Sequence, residues 1–331
     1  MQSETILLAL GLCLGAQRGG LAQDPPSSFP DQVFRVTSEL VVLDAQVLNR
    51  KTGLPVASLK VEDFEVFEDG VKQGITSLSR DKLPLSIVFL FDLTDSVQPV
   101  LVPLAQGAAE ALGHLKPEDE IAVMVYQAKA ELLQGFTTNR DLAVAAIERA
   151  STGKRDESEE AYFNEGVFQA AVESRKGTNP GSRRVIIWLT DNVPNVPSPA
   201  WVHTEQQALR EVFESGAVVC SLLEMSGMSR AMTVLHKHNP MFSQSRRRFP
   251  PGDVNRYADQ TGGLVLKSSK SEVATKLAEL IDQIRSRYSL AYKPSAEQPA
   301  GTFCRTEVKL SPSAATREGR VVIRARQGYY R

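Results

Sequence analysis

From Leu85 onward the chain alternates apolar, strand-like runs with helical spacers, and this alternation constrains the fold more than any other feature. The clearest runs are SIVFLF (86–91), IAVMVY (121–126), VIIWL (185–189) and AVVCSLL (217–223). Each is continuously apolar, as expected of a strand buried on both faces of a parallel sheet. Helical patterns lie between and beside them at 102–115, 141–150, 168–174 and 205–215. The pattern predicts an α/β fold with a doubly wound, mainly parallel sheet.

Two later segments extend this alternation. Leu264 to Leu266 is β-like, and Ser271 to Arg287 carries apolar residues on one helical face. Before them, residues 224–252 break the rhythm and predict a long inserted loop. Its His236 and His238 have no third ligand in a zinc-binding pattern, so exposed loop side chains are the simpler interpretation. The predicted α/β domain therefore covers residues 83–287.

Residues on both sides of this domain alternate apolar and polar positions, which is typical of strands with one exposed face. The upstream strand patterns are 33–36, 40–47 and 64–67, and the downstream ones are 288–292, 306–310 and 321–325. Glu68-Asp69-Gly70 is a strong hairpin-turn signal. We expect the N-terminal segments (33–82) to pair with the C-terminal segments (288–331) in one small β-module. The α/β domain would then be inserted between the two halves of this module.

The first residues resemble an export signal. Ile6 to Ala16 is an apolar run too short to span a bilayer, and Gly20-Leu21-Ala22 is a small-x-small cleavage site. We therefore predict a signal peptide over 1–22, a Pro/Ser-containing linker over 23–32, and a secreted or periplasmic location. The residues before the apolar run include Glu4 and no Lys or Arg. An ordinary buried N-terminal helix is the alternative. No later segment is long and apolar enough to predict a membrane span.

The net charge bears on the kind of partner, and the cysteine content bears on whether a disulfide can form. A formal net charge of −1 gives no reason to expect nucleic acid or an anionic membrane as the partner. After the predicted signal, two cysteines remain, Cys220 in an apolar run and Cys304 in a β-like segment. Two isolated thiols, with Cys220 as a small buried hydrophobe, are the simplest interpretation. A disulfide between them is the alternative in an oxidising compartment.

The chemistry-bearing motif is Asp92-Leu93-Thr94-Asp95-Ser96, which follows directly on the buried run 86–91. Functional loops of an open parallel sheet gather at the carboxyl ends of its strands. Alternate residues leaving a strand point the same way, so Asp92, Thr94 and Ser96 can present oxygens to one point. A second carboxylate, Asp191, follows the run 185–189. Such oxygen ligands suit Mg²⁺, or Mn²⁺ or Ca²⁺, rather than zinc or copper.

The same loop has a purely structural alternative. Asp, Thr and Ser are all good helix-capping residues, so the loop could simply cap the helix that follows it. Asp95 is in any case expected to face solvent rather than to bind a metal ion.

These residues resemble the von Willebrand factor A-like domain with its metal-ion-dependent adhesion site. That site combines Asp-x-Ser/Thr-x-Ser with a loop Thr further on and an Asp after a later apolar strand. Phe91 to Ser96 matches the first motif, and Leu189-Thr190-Asp191 matches the last. Residues 59–69, Gly262-Gly263, Tyr288 to Pro294 and Gly328-Tyr329-Tyr330 also resemble the related acidobacterial-type family. The likeness covers nearly the whole chain after the predicted signal.

The resemblance implies a non-catalytic, adhesion- or scaffold-type binding protein. The cation would be held by Asp92 and Ser96 and, partly through water, by Thr94 and Asp191. Its open coordination position would accept a Glu or Asp carboxylate from a partner protein.

One position departs from the family pattern. The best match to the loop segment is Glu160-Ala161-Tyr162-Phe163-Asn164-Glu165, which puts Glu160 where the family has Thr. Glu160 could bind the cation directly, and the site would then hold about three negative charges around a 2+ ion and attract an acidic partner poorly. Alternatively the loop shifts register, and Ser158 or Thr152 supplies the hydroxyl. Asn192 also replaces the usual Gly, a tolerable change because Asn accepts unusual backbone angles.

Two other functional classes remain open from the sequence. A haloacid-dehalogenase-like hydrolase also begins with an Asp after a buried strand, but it needs a second Asp where Thr94 stands. The other is a structural envelope component whose metal site is degenerate.

Overall fold

A computed structural model describes residues 40–80, 83–153, 161–192, 201–224 and 253–331. Several sequence predictions lie outside these residues: the signal peptide and linker, the strand at 33–36, and nearly all of the inserted loop with its two histidines. The helices are α1 (Gln98–Leu112), α2 (Arg140–Thr152), α3 (Phe163–Ser174), α4 (Glu205–Ser215), α5 (Val254–Thr261), α6 (Val273–Arg285) and α7 (Pro312–Glu318). A 3-10 helix covers Val61–Asp63.

The strands before the α/β part of the chain are β1 (Val41–Asn49), β2 (Phe64–Glu68), β3 (Val71–Gln73) and β4 (Ile75–Arg80). Those within it are β5 (Leu85–Asp92), β6 (Glu120–Tyr126), β7 (Ala130–Thr137), β8 (Arg183–Thr190), β9 (Val218–Glu224) and β10 (Val265–Ser268). The remaining strands are β11 (Tyr288–Tyr292), β12 (Phe303–Leu310), β13 (Val321–Ala325) and β14 (Gly328–Tyr330).

The central layer is a six-stranded sheet in the order β10-β9-β8-β5-β6-β7, with β5 in its interior. Every pairing is parallel except that of β7 with β6. Every residue of β5 is buried, and its side chains alternate between two cores. Ile87 and Phe89 pack in a core with α1, α2 and α6, whereas Val88 and Leu90 pack in one with α3, α4 and α5. Helices thus cover both faces, and the doubly wound, mainly parallel prediction is confirmed.

The antiparallel edge strand β7 was not predicted. Its residues are intermediate or exposed rather than buried, because this edge strand has a neighbouring strand on one side only and is covered only in part by helices α2 and α3. A half-covered edge strand does not need the continuous apolar run by which the other strands were recognised. The short helix α7 was missed as well; Ser311 caps its N-terminus and Pro312 is its first residue.

Two further sheets join residues from both ends of the chain. One has the strand order β13-β1-β11-β4, and the other has the order β14-β12-β2-β3. They share one apolar core, which includes Leu43, Val66, Leu290 and Leu310. The predicted hairpin turn is present between β2 and β3, where Asp69 and Gly70 both have positive φ. These sheets confirm the expected fold class of an α/β sheet with additional β segments, while the exact domain boundaries stay a prediction.

A buried charged cluster, which we call the junction, joins the α/β sheet to β1. Arg183, at the start of β8, lies 3.0 Å from Asp44 Oδ1 and donates to Ser289 Oγ over 2.9 Å. The fully buried Arg287 donates to the carbonyl oxygen of Gly262 over 2.8 Å. Burial alone would raise the pKa of Asp44, but Arg183 and Arg287 bring it below its usual value.

Cys220 and Cys304 are both free and buried, as the simpler interpretation of the sequence predicted. In the described ranges no helix is long and apolar enough to cross a membrane.

Candidate metal site

Three neighbouring strands end at one edge of the parallel sheet, which we call the carboxyl edge. Asp92, the last residue of β5, pairs in register with Tyr126, the last residue of β6. On the other side, the pairing of Phe91 with Leu189 puts Thr190, the last residue of β8, level with Asp92. Side chains at the same level of neighbouring parallel strands leave the sheet on the same face. The ends of these strands therefore place three polar side chains in one row.

The carboxylate of Asp92 is completely buried and accepts hydrogen bonds from the ends of β6 and β8 and from the turn that follows β5. The Tyr126 hydroxyl donates to Oδ2 over 2.9 Å, and Thr190 Oγ1 donates to the same oxygen over 3.0 Å. Oδ1 accepts the backbone N–H of Thr94 over 3.0 Å. The indole N–H of Trp188 in turn donates to the Tyr126 hydroxyl oxygen over 3.0 Å. Buried charges require such hydrogen bonds, but these donors are neutral and leave the negative charge of Asp92 uncancelled.

The chain turns directly after Asp92 and brings two hydroxyls together. The carbonyl oxygen of Thr94 accepts the N–H groups of Val97 and Gln98 over 3.0 and 3.1 Å. Within this turn Thr94 Oγ1 lies 3.2 Å from Ser96 Oγ. The prediction that strand alternation brings these hydroxyls together is wrong, because β5 ends at Asp92. A turn closed on the Asp92 carboxylate by the Thr94 N–H gathers the oxygens instead.

The turn does not cap the helix that follows. Helix α1 begins at Gln98, and its N-cap residue is Val97, for which no side-chain cap bond is present. The Thr94 and Ser96 hydroxyls contact each other, and Asp92 bonds within the turn and across strands. The capping alternative is therefore wrong for this loop. Asp95, between the two hydroxyl residues, is exposed, as predicted.

The second carboxylate, Asp191, follows β8 and is also buried. Its negative charge is close enough to Asp92 to raise the pKa of that residue. The next residue, Asn192, has a φ of 57°, a left-handed conformation that Asn tolerates better than most residues, as expected. Its side-chain oxygen accepts the N–H of Val254, and its amide donates to Asp253, both over 2.9 Å. The chain leaving β8 is thus held by the N-terminus of α5.

The electrostatics of this edge favour a cation. Burial raises the pKa of Asp92 and the neighbouring Asp191 raises it further, while hydrogen bonds from Thr94 and Tyr126 offset only part of the change. The resulting pKa is about 6. A positive charge beside both carboxylates would offset their repulsion. The donor set contains only carboxylate and hydroxyl oxygens, so the residues present fit a hard divalent ion such as Mg²⁺.

The middle ligand of the predicted set is not placed by the structure. Glu160 and its alternative Ser158 both lie outside the described residues. The other alternative, Thr152, lies in the last turn of α2 and is exposed, and its hydroxyl donates to the carbonyl oxygen of Glu148 over 3.1 Å. Thr152 is therefore engaged within its own helix rather than at the carboxyl edge.

Tyr126 and the role of Thr190 at this edge were not predicted from the sequence. Tyr126 is the last residue of an apolar run recognised as a strand, and Thr190 directly follows another, which is the signal that could have singled them out. That signal becomes informative only when β6 and β8 are known to be the two neighbours of β5, because sequence order alone does not give strand order.

A second group of ligand-type side chains lies in the β-sheets, where atoms of Glu68, Asp69 and Cys304 lie within 4.8 Å of one another. Glu68 Oε2 already accepts the hydroxyls of Tyr292 and Tyr329 over 2.6 and 2.9 Å. These bonds account for the buried carboxylate as part of the β-sheet packing.

Comparison with known proteins identifies the region around this edge. Residues 87–193 match the family model described as von Willebrand factor type A domain. This stretch runs from β5 to just past β8, and it contains Asp92, Thr94, Ser96 and Asp191. The resemblance seen in the sequence is thereby confirmed at the level of the domain. No curated protein matches the chain significantly.

Several solved structures are similar to the chain at low identity. The proximal thread matrix protein 1 of the mussel byssus is 15% identical over 62% of this chain, with a TM-score of 0.42; one of its structures is described as having a zinc-occupied MIDAS motif. BatB of Bacteroides thetaiotaomicron is 14% identical over 60% of this chain and 98% of its own, with a TM-score of 0.41. A von Willebrand factor type A protein of Catenulispora acidiphila is 10% identical over 76% of this chain and 71% of its own, with a TM-score of 0.45. The chain spans about half the length (49%) of the mussel protein.

Proposed function

We propose that this chain, a von Willebrand factor type A domain protein, binds a divalent cation at its carboxyl edge and uses it to hold an acidic group of a partner protein. The ligands would be Asp92, Thr94, Ser96 and Asp191, with Glu160 or a hydroxyl of the same loop as the fifth. Mg²⁺ is the expected ion, and Mn²⁺ or Ca²⁺ are the alternatives.

One observation carries the metal half of the proposal. Two buried carboxylates share the carboxyl edge with a pair of adjacent hydroxyls, and within the described part of the chain no cationic side chain donates a hydrogen bond to Asp92. At the junction, by contrast, Asp44 has Arg183 beside it. A buried carboxylate without a cationic partner is costly for the fold, so a bound cation is the expected compensation.

The partner half of the proposal rests on coordination chemistry and on the domain family. Domains of this family mediate protein–protein interactions. A bound Mg²⁺ usually keeps several water ligands, and a carboxylate from a partner can replace one of them. Thr94 and Ser96 would add no charge to the ion, so two carboxylates would neutralise it. A third carboxylate from Glu160 would leave the site net negative and weaken capture of an acidic partner.

We propose binding rather than catalysis for this edge. A dehalogenase-type hydrolase needs a second Asp two residues after the first, and Thr94 holds that position with its hydroxyl beside Ser96. An aryl phosphate assay with added Mg²⁺ separates the two classes. Turnover that requires metal and disappears in Asp92→Asn would contradict the binding proposal.

Calorimetric titration of the protein with Mg²⁺ and with Mn²⁺ tests the metal site. Wild type should bind at least one ion, and Asp92→Ala should abolish that binding. Asp95→Ala is the matched control, because Asp95 lies in the same turn but is exposed. If wild type binds neither ion, the site proposal is wrong.

The variant Glu160→Thr tests the partner half. It restores the hydroxyl that the family pattern has at this position. Metal affinity should stay similar or fall, whereas capture of a Glu- or Asp-containing peptide by the metal-loaded protein should improve. Unchanged peptide capture, with metal still bound, would contradict a role for Glu160 in repelling acidic partners.

Export completes the proposed function. The apolar run of 6–16 and the cleavage motif at 20–22 support a secreted or periplasmic location. Expression of the full chain in a bacterial host, followed by mapping of the mature N-terminus, should give Gln23 as the first residue. An intact N-terminus in the cytoplasmic fraction would contradict export.

A further inference from the structure

We propose that Tyr126 is a positioning residue that, together with Thr190, restricts Asp92 to a single-oxygen mode of metal binding and thereby makes the site prefer Mg²⁺ over Ca²⁺. This inference rests on the metal site proposed above. It assigns to Tyr126 a role that the sequence motifs do not indicate.

The restriction follows from the hydrogen bonds of one oxygen atom. A carboxylate oxygen has two lone pairs, and Asp92 Oδ2 accepts two hydrogen bonds, from Tyr126 and from Thr190, over 2.9 and 3.0 Å. Oδ1 accepts the Thr94 N–H over 3.0 Å. With both lone pairs of Oδ2 occupied, Oδ1 is the oxygen through which Asp92 would meet a cation or its water. Bidentate binding through both oxygens would require the two hydroxyls to give up Oδ2.

Neither hydroxyl is free to turn away. The Tyr126 oxygen accepts the Trp188 indole N–H over 3.0 Å, which leaves its proton to be donated to Asp92. Thr190 Oγ1 likewise accepts the backbone N–H of Asn192 over 3.0 Å. Each hydroxyl is thus both acceptor and donor in a fixed chain of bonds. Breaking either chain would leave a buried polar group without a partner, which is costly.

The ring of Tyr126 is held as firmly as its hydroxyl. It is buried and packs edge-on against Phe163 and Trp188. Helix α3 covers the ring with Gly166, where an added Cβ would come to 2.8 Å from the ring, closer than real side chains approach. The position of the hydroxyl over Asp92 is therefore set by packing from two elements besides its own strand.

The single-oxygen mode discriminates between ions by coordination number. Mg²⁺ prefers six ligands in near-ideal octahedral geometry and is usually bound through one or two carboxylates with retained water. Ca²⁺ takes six to eight oxygens and often uses both oxygens of a carboxylate. A site whose deepest carboxylate offers one oxygen therefore favours Mg²⁺. Residues that orient a metal ligand in this way typically change affinity about 10- to 100-fold when they are removed.

The test compares Tyr126→Phe with Tyr257→Phe. Tyr257 is buried and packs on the same Trp188, but its hydroxyl donates to Asn164 rather than to Asp92. In calorimetric titrations with Mg²⁺ and with Ca²⁺, Tyr126→Phe should weaken Mg²⁺ binding about 10-fold and weaken Ca²⁺ binding less or not at all. Tyr257→Phe should keep the wild-type ratio of the two affinities.

A spectroscopic measurement follows the same chain of bonds. In a Trp201→Phe background Trp188 is the remaining tryptophan, and Mg²⁺ binding should shift its emission through Tyr126. Adding Tyr126→Phe should abolish that shift at saturating Mg²⁺, when calorimetry still reports binding. Thr190→Val removes the other donor to Oδ2 and should change the ratio of the Mg²⁺ and Ca²⁺ affinities in the same direction. This second variant tests the inference if Tyr126→Phe does not fold.

The outcomes separate this inference from the proposed function. If wild type binds no ion, the proposed metal site is wrong and this inference falls with it. If wild type binds Mg²⁺ but Tyr126→Phe and Thr190→Val keep the wild-type ratio, or lose both ions equally, the selectivity role is overturned and the metal site stands.

Discussion

Strand β8 has a charged side chain at each end, Arg183 at its first residue and Asp191 just after its last. At the junction, Arg183 and Arg287 surround Asp44 and bond to backbone carbonyl and hydroxyl oxygens. At the carboxyl edge, Asp191 lies close enough to Asp92 to raise its pKa. Both ends bury charge: the junction pairs opposite charges, whereas at the carboxyl edge two like charges lie close together.

This difference in charge indicates that the junction stabilises the fold, whereas the carboxyl edge is suited to bind a ligand. Opposite charges can be buried together without a ligand, whereas like charges destabilise the fold until a counter-ion binds. Substitutions at the junction should therefore lower stability and leave metal affinity unchanged. Substitutions at the carboxyl edge should change metal affinity and cost the metal-free fold little, or even stabilise it.

The largest expected effect is that of Arg183→Met at the junction. It leaves the Asp44 carboxylate buried without its nearest cation, and breaking a buried pair in this way costs about 3–5 kcal/mol. Arg320→Met is the control, because Arg320 is exposed, and it should change stability by less than about 0.5 kcal/mol. The measurement is the free energy of unfolding in urea. Equal small losses for both variants would mean that the junction does not hold the sheets together.

The second largest loss of stability is expected for Gly262→Ala, with Gly53→Ala as its control. Both glycines have a φ above 70°, so both variants carry a backbone penalty of about 1 kcal/mol. Only at Gly262 would the new Cβ overlap backbone atoms, those of Ala325 on β13. We expect Gly262→Ala to lower the free energy of unfolding by at least about 3 kcal/mol. A loss no larger than that of Gly53→Ala would show that β13 can move away from the α/β sheet.

At the carboxyl edge, Asp92→Asn should raise the stability of the metal-free protein. At pH 8 it removes a buried negative charge beside Asp191, and its amide can still bond to the hydroxyls of Tyr126 and Thr190. We expect an increase of about 1–2 kcal/mol in the free energy of unfolding, measured in urea with a chelator present. Metal binding should be lost at the same time. A decrease in stability would mean that the two carboxylates do not oppose each other in the metal-free fold.

The smallest expected effect on stability is at Asn192, where the variants Asn192→Gly and Asn192→Ala are compared. Glycine keeps the left-handed backbone and loses only the bonds to Asp253 and Val254, at a cost of about 1 kcal/mol. Alanine adds the backbone penalty and should cost about 1 kcal/mol more. Thermal unfolding of both variants measures the difference. If glycine is no less stable than wild type, the link from β8 to α5 contributes nothing.

Much of the α/β region was predictable because its strands are buried on both faces. The continuous apolar run 86–91 favours an interior strand, and the polar motif directly after it is then expected at a strand end. Strands with half-covered faces were harder to recognise, as β7 shows, since an edge strand needs no continuous apolar run. The hairpin at Asp69 and Gly70 was predictable from local backbone preferences alone.

The sequence by itself determined the alternation of strands and helices and the resemblance of the domain, and it predicted Asp92, Thr94, Ser96 and Asp191 as oxygen ligands, because burial pattern and motif spacing are local properties. Only the tertiary structure decided that β6 and β8 flank β5, and hence that Tyr126 and Thr190 bond to Asp92. It also decided that a turn rather than strand alternation gathers Thr94 and Ser96. The physical reason is that strand order and side-chain hydrogen bonds depend on contacts between residues far apart in the chain, which no local pattern specifies.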